Sequence, residues 1–214
     1  MAARVPLTRD RVVASALVLV ERHGVEALSM RKLAAELGVE AMSLYNHVAN
    51  KDDVLDAITV VVFERIEPPT PSDDWRADAV ALADAFRRAA LTFPRTASLS
   101  LTRQLRSESA LPLTEVALDV LRRAGFDAEQ AVHALRALLA YVVGTLLREV
   151  GSSPAFAGLD PDARADRETT LAGAGLPRVA ESAETLSACV HEDEYRFGLT
   201  LMVDALAARV PLTP

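Results

Sequence analysis

The chain has 214 residues, and because half of them are hydrophobic it can bury a sizeable core in one large domain or two modest ones. Its formal net charge of −7 argues against a uniformly basic surface for binding nucleic acid or membrane. A single cysteine, Cys189, excludes an intrachain disulfide, fits a reducing cytosol and is expected to be a small core residue. We find no signal peptide, and the apolar runs at 12–20 and 137–147 are too short or too interrupted to span a membrane. We therefore expect a cytoplasmic protein.

The first three predicted helices lie close together in the sequence. Thr8 caps the first helix, Gly24 ends it, and five apolar residues form its buried stripe: Val12, Val13, Ala16, Leu17 and Val20. Ser29 caps the second helix, which ends at Gly38, because a left-handed residue suits glycine best. The third helix, at about residues 40–47, buries Leu44. Two short helices joined by a glycine turn predict a helix-turn-helix motif.

The outer face of the third predicted helix is typical of DNA recognition. Four of its side chains are expected to face base edges: Ala41, Met42, Ser43 and Asn46. Ser and Asn donate and accept hydrogen bonds, whereas Ala and Met contact the methyl group of thymine. Arg31, near the start of the preceding helix, has two interpretations, a contact to guanine or a contact to phosphate.

The next segments define the predicted domain organisation. Asn50 caps a fourth helix with a broad apolar face, and three prolines, Pro68, Pro69 and Pro71, then break the chain. We place a helix-turn-helix domain with a linking helix at residues 1–66, a Pro-rich linker at 67–73, and a second domain at 74–214. The net charge is +2 over residues 1–51 and −9 over the remainder, so the acidic surplus lies away from the proposed DNA-binding face.

The second domain is predicted to be helical throughout. Its helices are expected at about 74–93, 95–106, 112–124, 128–149, 161–171, 178–189 and 192–209. The fold class is therefore all-α. The sequence has no clustered metal ligands, no glycine-rich phosphate loop and no nucleophile motif, so we expect no metal, no cofactor and no enzyme.

Residues 8–66 resemble the DNA-binding domain of the TetR family of bacterial transcriptional regulators. The matching pieces are Leu-Ser-Met-Arg-Lys-Leu-Ala at 28–34, Leu-Gly-Val at 37–39, Ser-Leu-Tyr-Asn-His-Val at 43–48 and Asn-Lys-Asp-Asp-Val-Leu at 50–55. Residues 74–210 more loosely resemble the ligand-binding half of the tetracycline-repressor subgroup, through Ala-Gly-Phe at 124–126 and Tyr-Arg-Phe-Gly-Leu at 195–199.

The resemblance implies roles for individual residues. Tyr45, His47 and Lys51 match positions that hold DNA phosphates, and Ser29 and Met30 do so through side chain or backbone amide. On residue type alone, Tyr45 is alternatively a half-buried core aromatic and His47 a solvated residue at a helix end.

A small-molecule site inside the second domain is also implied by the resemblance. Its candidate residues are Thr96, Arg103, Gln104, His133 and Tyr141, with Phe86 and Phe93 as an apolar wall. His133 is alternatively a structural histidine. The subgroup binds tetracycline–magnesium with a histidine in the segment that matches 95–106, where this chain has none, so the identity of the effector stays open.

In the resembled family, the helices that match 128–149 and 192–209 pair with their copies in a second subunit. Both helices carry small residues on apolar faces, including Gly144 and Gly198. Burial inside one subunit is the alternative. We favour a homodimer, because recognition of a two-fold DNA site needs one, and expect Gly198→Arg to split or unfold it.

Together these features predict a ligand-responsive transcriptional regulator, in the first place a repressor. It would bind a palindromic operator in double-stranded DNA as a homodimer and be released by a small-molecule effector. An activator or co-regulator of the same fold is the alternative, because the sign of regulation depends on where the operator lies. A helical enzyme is the remote alternative, since a scattered catalytic set is recognised only by geometry.

Overall fold

A computed structural model describes residues 6–97, 110–150 and 161–210. The described residues form helices and no strand, which confirms the predicted all-α fold. In chain order the helices are α1 (Arg9–His23), α2 (Met30–Leu37), α3 (Ala41–Leu44), α4 (Lys51–Phe63), α5 (Trp75–Thr92), α6 (Leu111–Arg123), α7 (Ala128–Glu149), α8 (Pro161–Ala172), α9 (Pro177–Glu181), α10 (Ala183–Ser187) and α11 (His191–Ala207). The predicted segment 95–106 is described only as far as a helical stretch at 94–97.

The helix ends in the N-terminal part follow the sequence signals. Thr8 accepts a hydrogen bond from the Arg11 amide, and Ser29 accepts one from the Lys32 amide, each at 3.2 Å. Gly38 ends α2 with φ of 67°, the left-handed region in which a glycine avoids the steric cost of a side chain. These caps fix the angles at which α1, α2 and α3 meet.

Helices α1 to α4 enclose one apolar core. Seven of its members are essentially inaccessible to solvent: Val12, Ala16, Val20, Leu33, Leu44, Val54 and Ile58. Because α1 contributes residues from one stripe and α4 from a broad face, these two helices pack together, while α2 lies against both α1 and α3. The predicted core of the helix-turn-helix therefore forms as expected.

The recognition segment is shorter as a regular helix than predicted. The expected helix at residues 40–47 is an α-helix only over Ala41–Leu44, and residues 45–47 form a turn. The His47 amide donates to the Leu44 carbonyl at 2.9 Å, a tighter spacing than in an α-helix. Leu44 and Val48 are nonetheless both buried, so the predicted inner face is retained.

A buried carboxylate fixes the segment that precedes α5. Asp78 accepts hydrogen bonds from the Ser72 amide and hydroxyl, and the Arg123 guanidinium of α6 contacts it at 2.9 Å. These hydrogen bonds hold the pKa of Asp78 below its usual range, those from Ser72 having the largest effect. The contact joins the start of α5 to the end of α6.

Contacts divide the chain into two compact units, residues 1–131 and 132–214. The predicted linker at 67–73 lies within the first unit, and the predicted division of the chain there stays a prediction. In the second unit, Tyr195, Leu199 and Val203 of α11 are buried. The predicted helix at 178–189 is two short helices, α9 and α10, which separate at Ser182.

Two expectations from composition are wrong. Cys189 is exposed rather than a core residue. The apolar run 137–147 was expected to be too short or too interrupted to span a membrane, but it belongs to the 22-residue helix α7. Among the described residues, α7 is long and apolar enough to span a membrane by length and composition alone. A core helix of a soluble protein meets the same two criteria, so length and composition do not by themselves indicate a membrane.

Candidate nucleic-acid interface

The face of α3 that was predicted to contact bases is open to solvent. The Met42 side chain is 76% exposed, and Asn46 in the following turn is also exposed. Ala41 and Ser43 are half-buried at the edge of the same face. Because Leu44 is fully buried behind them, the backbone that carries these side chains is fixed by the core.

The predicted phosphate-contacting residues surround this face at the ends of three helices. Tyr45 is 46% exposed, so it is not a core aromatic. His47 and Lys51 are half-buried, and Arg31 is exposed in the first turn of α2. The Ser29 hydroxyl caps α2, and Met30 packs in part against the core. Helix starts at α2 and α4 present backbone amides, which suit phosphate oxygens.

A polar cluster below the recognition segment was missed by sequence reasoning. Asp53 of α4 accepts hydrogen bonds from the Ala49 amide at 2.7 Å and from both terminal nitrogens of Arg9, at 2.5 and 3.0 Å. Arg9 also donates to the carbonyl oxygen of His47 at 3.0 Å. The Arg9 hydrogen bond, with the Ala49 amide next in effect, lowers the pKa of Asp53 to about 2.

This Arg9–Asp53 cluster connects the start of α1 with the end of the recognition turn and the start of α4. The Asp53 amide donates to Oδ1 of Asn50, three residues earlier, and this local helix-capping pattern could have marked the position. Arg9 lies 44 residues from Asp53, so no local pattern could have paired them.

The candidate effector residues belong to both units, and most of them lie in the first. Phe86 is buried against Phe63 of α4, with ring centroids 6.0 Å apart. Phe93 packs against the core of α1 to α4, and the Arg65 guanidinium lies 4.9 Å from its ring centroid. Thr96 is fully buried and hydrogen-bonded to Glu21 of α1. Arg103 and Gln104 lie outside the described residues.

The remaining two candidates belong to the second unit. His133 is exposed on α7. The Tyr141 hydroxyl lies 2.9 Å from the carbonyl oxygens of both Glu194 and Tyr195, so it donates its proton to the backbone of α11. Burial raises the pKa of this hydroxyl. Among the described residues, no group of three or more His, Cys, Asp or Glu could hold a metal ion.

An exposed polar recognition segment, held across a left-handed glycine on a small helical core, defines a helix-turn-helix DNA-binding protein. Comparison with protein families agrees with this class. Residues 12–58 match the family described as bacterial regulatory proteins, tetR family. Residues 67–210 match the tetracyclin repressor-like C-terminal domain. The chain belongs to the TetR family of bacterial transcriptional regulators, whose members are not enzymes.

Individual relatives point the same way. The chain is 41% identical over 144 residues to an HTH-type transcriptional regulator of Saccharopolyspora erythraea, a match that covers 67% of this chain and 61% of the relative. It is 31% identical over 210 residues to the class A tetracycline repressor of transposon 1721 from Escherichia coli, covering 95% and 92%.

Solved structures resemble the whole chain. ActR of Streptomyces coelicolor in complex with actinorhodin superposes with a TM-score of 0.85 at 26% identity, over 97% of this chain and all of ActR. A TetR variant from Acinetobacter baumannii AYE in complex with minocycline gives a TM-score of 0.70 at 28% identity, over 97% of this chain and all of that one.

Proposed function

We propose that this regulator is a repressor that binds a palindromic operator as a homodimer and leaves it when a small molecule binds. The observation that supports this proposal is the solvent-exposed face of α3, on which Met42 is 76% exposed while Leu44 behind it is fully buried. A rigid, exposed helix of this kind fits the major groove. The repressor names of several relatives support the sign of regulation.

Base and phosphate contacts are assigned to different side chains of the recognition segment. Ser43 and Asn46 would contact base edges, and Tyr45, His47 and Lys51 would contact phosphates. Asn46→Ala should therefore weaken binding to the preferred operator by about 1–3 kcal/mol and relax its specificity. Tyr45→Ala should weaken binding to specific and unrelated duplexes alike.

Fluorescence anisotropy with the preferred operator and a scrambled duplex of equal length tests both assignments. Each titration is repeated at several salt concentrations, because loss of one phosphate contact lowers the salt slope by about 1. Met30→Ala, at a half-buried residue, tests in the same assay whether Met30 contacts phosphate through its side chain, because the variant keeps the backbone amide. If Tyr45→Ala/His47→Ala binds DNA as well as the wild type, this interface is wrong.

The dimer is proposed to form through α7 and α11. On α11, Phe197 is 68% exposed and Leu201, one turn later, is 55% exposed. Only 28% of the most apolar 18-residue stretch of α7 is buried within the subunit. Covering a large apolar side chain contributes about 1.5–3 kcal/mol, so a second copy on these faces would gain substantially.

The structure changes the variant that tests the dimer. Gly198 lies against the Tyr141 ring of its own chain, so Gly198→Arg would disrupt the subunit itself. Phe197→Glu and Leu201→Glu instead place a charge on the exposed face. Light scattering at micromolar concentration should give a dimer for the wild type and a folded monomer for the double variant. A folded wild-type monomer would contradict the proposal.

The effector is proposed to be a small, largely apolar molecule. Actinorhodin and minocycline are the molecules bound in the two structural relatives named above. Both can be used as probes in thermal-shift assays, followed by titration with and without operator. A molecule that releases DNA must bind the DNA-incompetent state more tightly, and by linkage operator must weaken its binding equally. A tenfold effect corresponds to about 1.4 kcal/mol.

The candidate pocket residues of this proposal are Phe86, Phe93, Thr96, Arg103, Gln104, His133 and Tyr141. His133→Ala is the cleanest of these tests, because His133 is exposed and the variant leaves the core intact. An effector affinity that saturating operator leaves unchanged would reject the release mechanism. An effector that strengthens operator binding would favour a co-repressor of the same fold.

A further inference from the structure

Helix α1 is attached by charged side chains at both of its ends. At the C-terminal end, the Glu21 carboxylate accepts hydrogen bonds from the Thr96 amide at 2.8 Å and from the Thr96 hydroxyl at 2.6 Å. The Arg95 guanidinium donates to the carbonyl oxygen of Arg22 at 2.7 Å. Four groups from two distant parts of the chain therefore meet where α1 ends.

The acceptor at Glu21 satisfies groups that would otherwise lack a partner. The first amides of a helix have no carbonyl partner within it, and Thr96 lies in the helical stretch that starts at residue 94. Thr96 is fully buried, so its amide and hydroxyl are shielded from water. A hydrogen bond to an ionised carboxylate is about twice as strong as a neutral one. Glu21 thus holds the segment after α5 to the end of α1.

At the N-terminal end, Arg9 reaches the recognition segment. It donates to the carbonyl oxygen of His47 and to Asp53, which in turn accepts from the Ala49 amide. Between these two attachments α1 is rigid, because Val12, Ala16 and Val20 are all fully buried in the core. Arg9 and Glu21 are separated by about 18 Å along the helix axis at 1.5 Å per residue.

We propose that Glu21 and Arg9 are positioning residues for operator binding, and that α1 couples the segment at 93–96 to the recognition turn. Neither side chain needs to touch DNA. A shift of the 93–96 segment would move Glu21, and the rigid helix would carry that shift to Arg9, His47 and Ala49. The inference rests on the proposed operator binding. It gives the coupling a second route, through α1, beside the contact that α4 makes with α5 at Phe63 and Phe86.

The first test uses the free protein and therefore does not depend on any operator. Amide hydrogen exchange is measured at Ala49, which reports the hydrogen bond to Asp53, with the buried Leu33 amide as internal reference. Glu21→Ala should accelerate exchange at Ala49 by about fivefold or more, although the two residues are far apart in sequence, because the Arg9–Asp53 cluster would then open locally. Leu33 exchange should not change. Glu21→Gln, which keeps an acceptor oxygen, should restore most of the protection.

The matched control is Glu26→Ala. Glu26 is an exposed carboxylate close to Glu21 in the sequence, so this variant removes the same charge without the attachment. It should leave Ala49 exchange unchanged. Thr96→Val keeps the side-chain volume and removes only the hydroxyl, and it should also accelerate exchange at Ala49. If Glu21→Ala lowers the protection of Leu33, that variant is generally destabilised, and the result for Thr96→Val is used instead. Unchanged exchange at Ala49 in Thr96→Val and in a folded Glu21→Ala would overturn the proposal.

The second test measures operator affinity by anisotropy over a range of salt concentrations. Arg9→Ala should weaken binding by about fivefold or more, at the lower end of typical coupling between sites, without lowering the salt slope. Arg11→Ala removes the same charge two residues away and should leave affinity nearly unchanged. Arg9→Lys should recover part of the loss.

The double variant Glu21→Ala/Arg9→Ala shows whether both residues act through α1. If they do, Glu21→Ala should have little further effect once Arg9 is removed. Additive losses, or a salt slope reduced by about 1 in Arg9→Ala, would mean separate roles or a direct phosphate contact and would overturn the proposal. A wild-type chain that binds no operator would instead refute the proposed function, while the exchange result would still test the coupling.

Discussion

Gly198→Ala should destabilise the subunit, although glycine to alanine inside a helix ordinarily stabilises a protein. An added Cβ at Gly198 would lie 2.5 Å from Tyr141 Cζ and would also collide with the hydroxyl oxygen. Real Cβ atoms do not approach other atoms this closely, so the rigid ring would have to move. Its hydrogen bond to the α11 backbone and its stacking on Tyr195 would then weaken.

The magnitude follows from two losses. Forcing an extra methyl group into a packed contact costs about 1–3 kcal/mol. Losing the net contribution of one hydrogen bond adds about 1 kcal/mol. Against this stands the usual gain of about 0.5–1 kcal/mol from glycine to alanine in a helix. We expect a net loss of about 2 kcal/mol in the free energy of unfolding, measured by urea denaturation with circular dichroism.

Gly144→Ala on α7 is the matched control. An added Cβ there has no atom within 4 Å in the subunit, so the substitution should raise stability slightly. A loss at Gly144 would instead mark a contact with the second copy. Tyr141→Ala supplies the second half of a double-mutant cycle and should remove most of the cost of Gly198→Ala. If Gly198→Ala is as stable as the wild type, the close approach of the two helices is wrong.

Three further predictions concern the N-terminal unit. The hydrogen bonds that lower the pKa of Asp53 to about 2 stabilise the folded state at pH values above the unfolded pKa near 4. Urea titrations should therefore show that the difference in free energy of unfolding between wild type and Asp53→Asn shrinks as pH falls from about 4 to 2. A difference that does not depend on pH would contradict this. Asp78→Ala removes the buried acceptor of hydrogen bonds from the Ser72 amide and hydroxyl and from the Arg123 guanidinium, and should cost about 2 kcal/mol by urea denaturation, whereas an unchanged midpoint would mean that the contact is not stabilising. Leu44→Ala should cost about 2–5 kcal/mol because Leu44 is fully buried, while Met42→Ala should leave stability unchanged and alter operator affinity; the reverse ranking would place the wrong face of α3 in the core.

The sequence predicted those parts of the fold that depend on neighbouring residues. Thr8, Ser29 and Asn50 all cap the helices expected from their position, because a capping side chain bonds an amide two or three residues away. The left-handed turn at Gly38 follows from the same local chemistry. The apolar stripes of α1 and α4 correctly predicted which residues form the core, because helical spacing is also a local pattern.

The parts that could not be predicted depend on distant pairs. Glu21 and Thr96 are 75 residues apart, so nothing near Thr96 marks it as a partner of α1 rather than a ligand residue. Gly198 was predicted to lie at an intersubunit contact, because a small residue permits a close approach either between subunits or within one. Only the position of Tyr141 shows that the close approach lies within the subunit. The recognition helix was predicted too long because Leu44 and Val48 have helical spacing, which a turn at 45–47 also satisfies.

The fixed backbone beneath the exposed recognition face has a consequence for the thermodynamics of operator binding. Because Leu44 and Val48 are already buried in the free subunit, the protein backbone does not fold on contact with DNA. Ordering then falls on a few side chains, chiefly those of Met42, Tyr45 and Asn46, at about 0.5–1.5 kcal/mol each. Calorimetry should accordingly find a change in heat capacity no larger than the buried interface accounts for, without the excess that accompanies coupled folding.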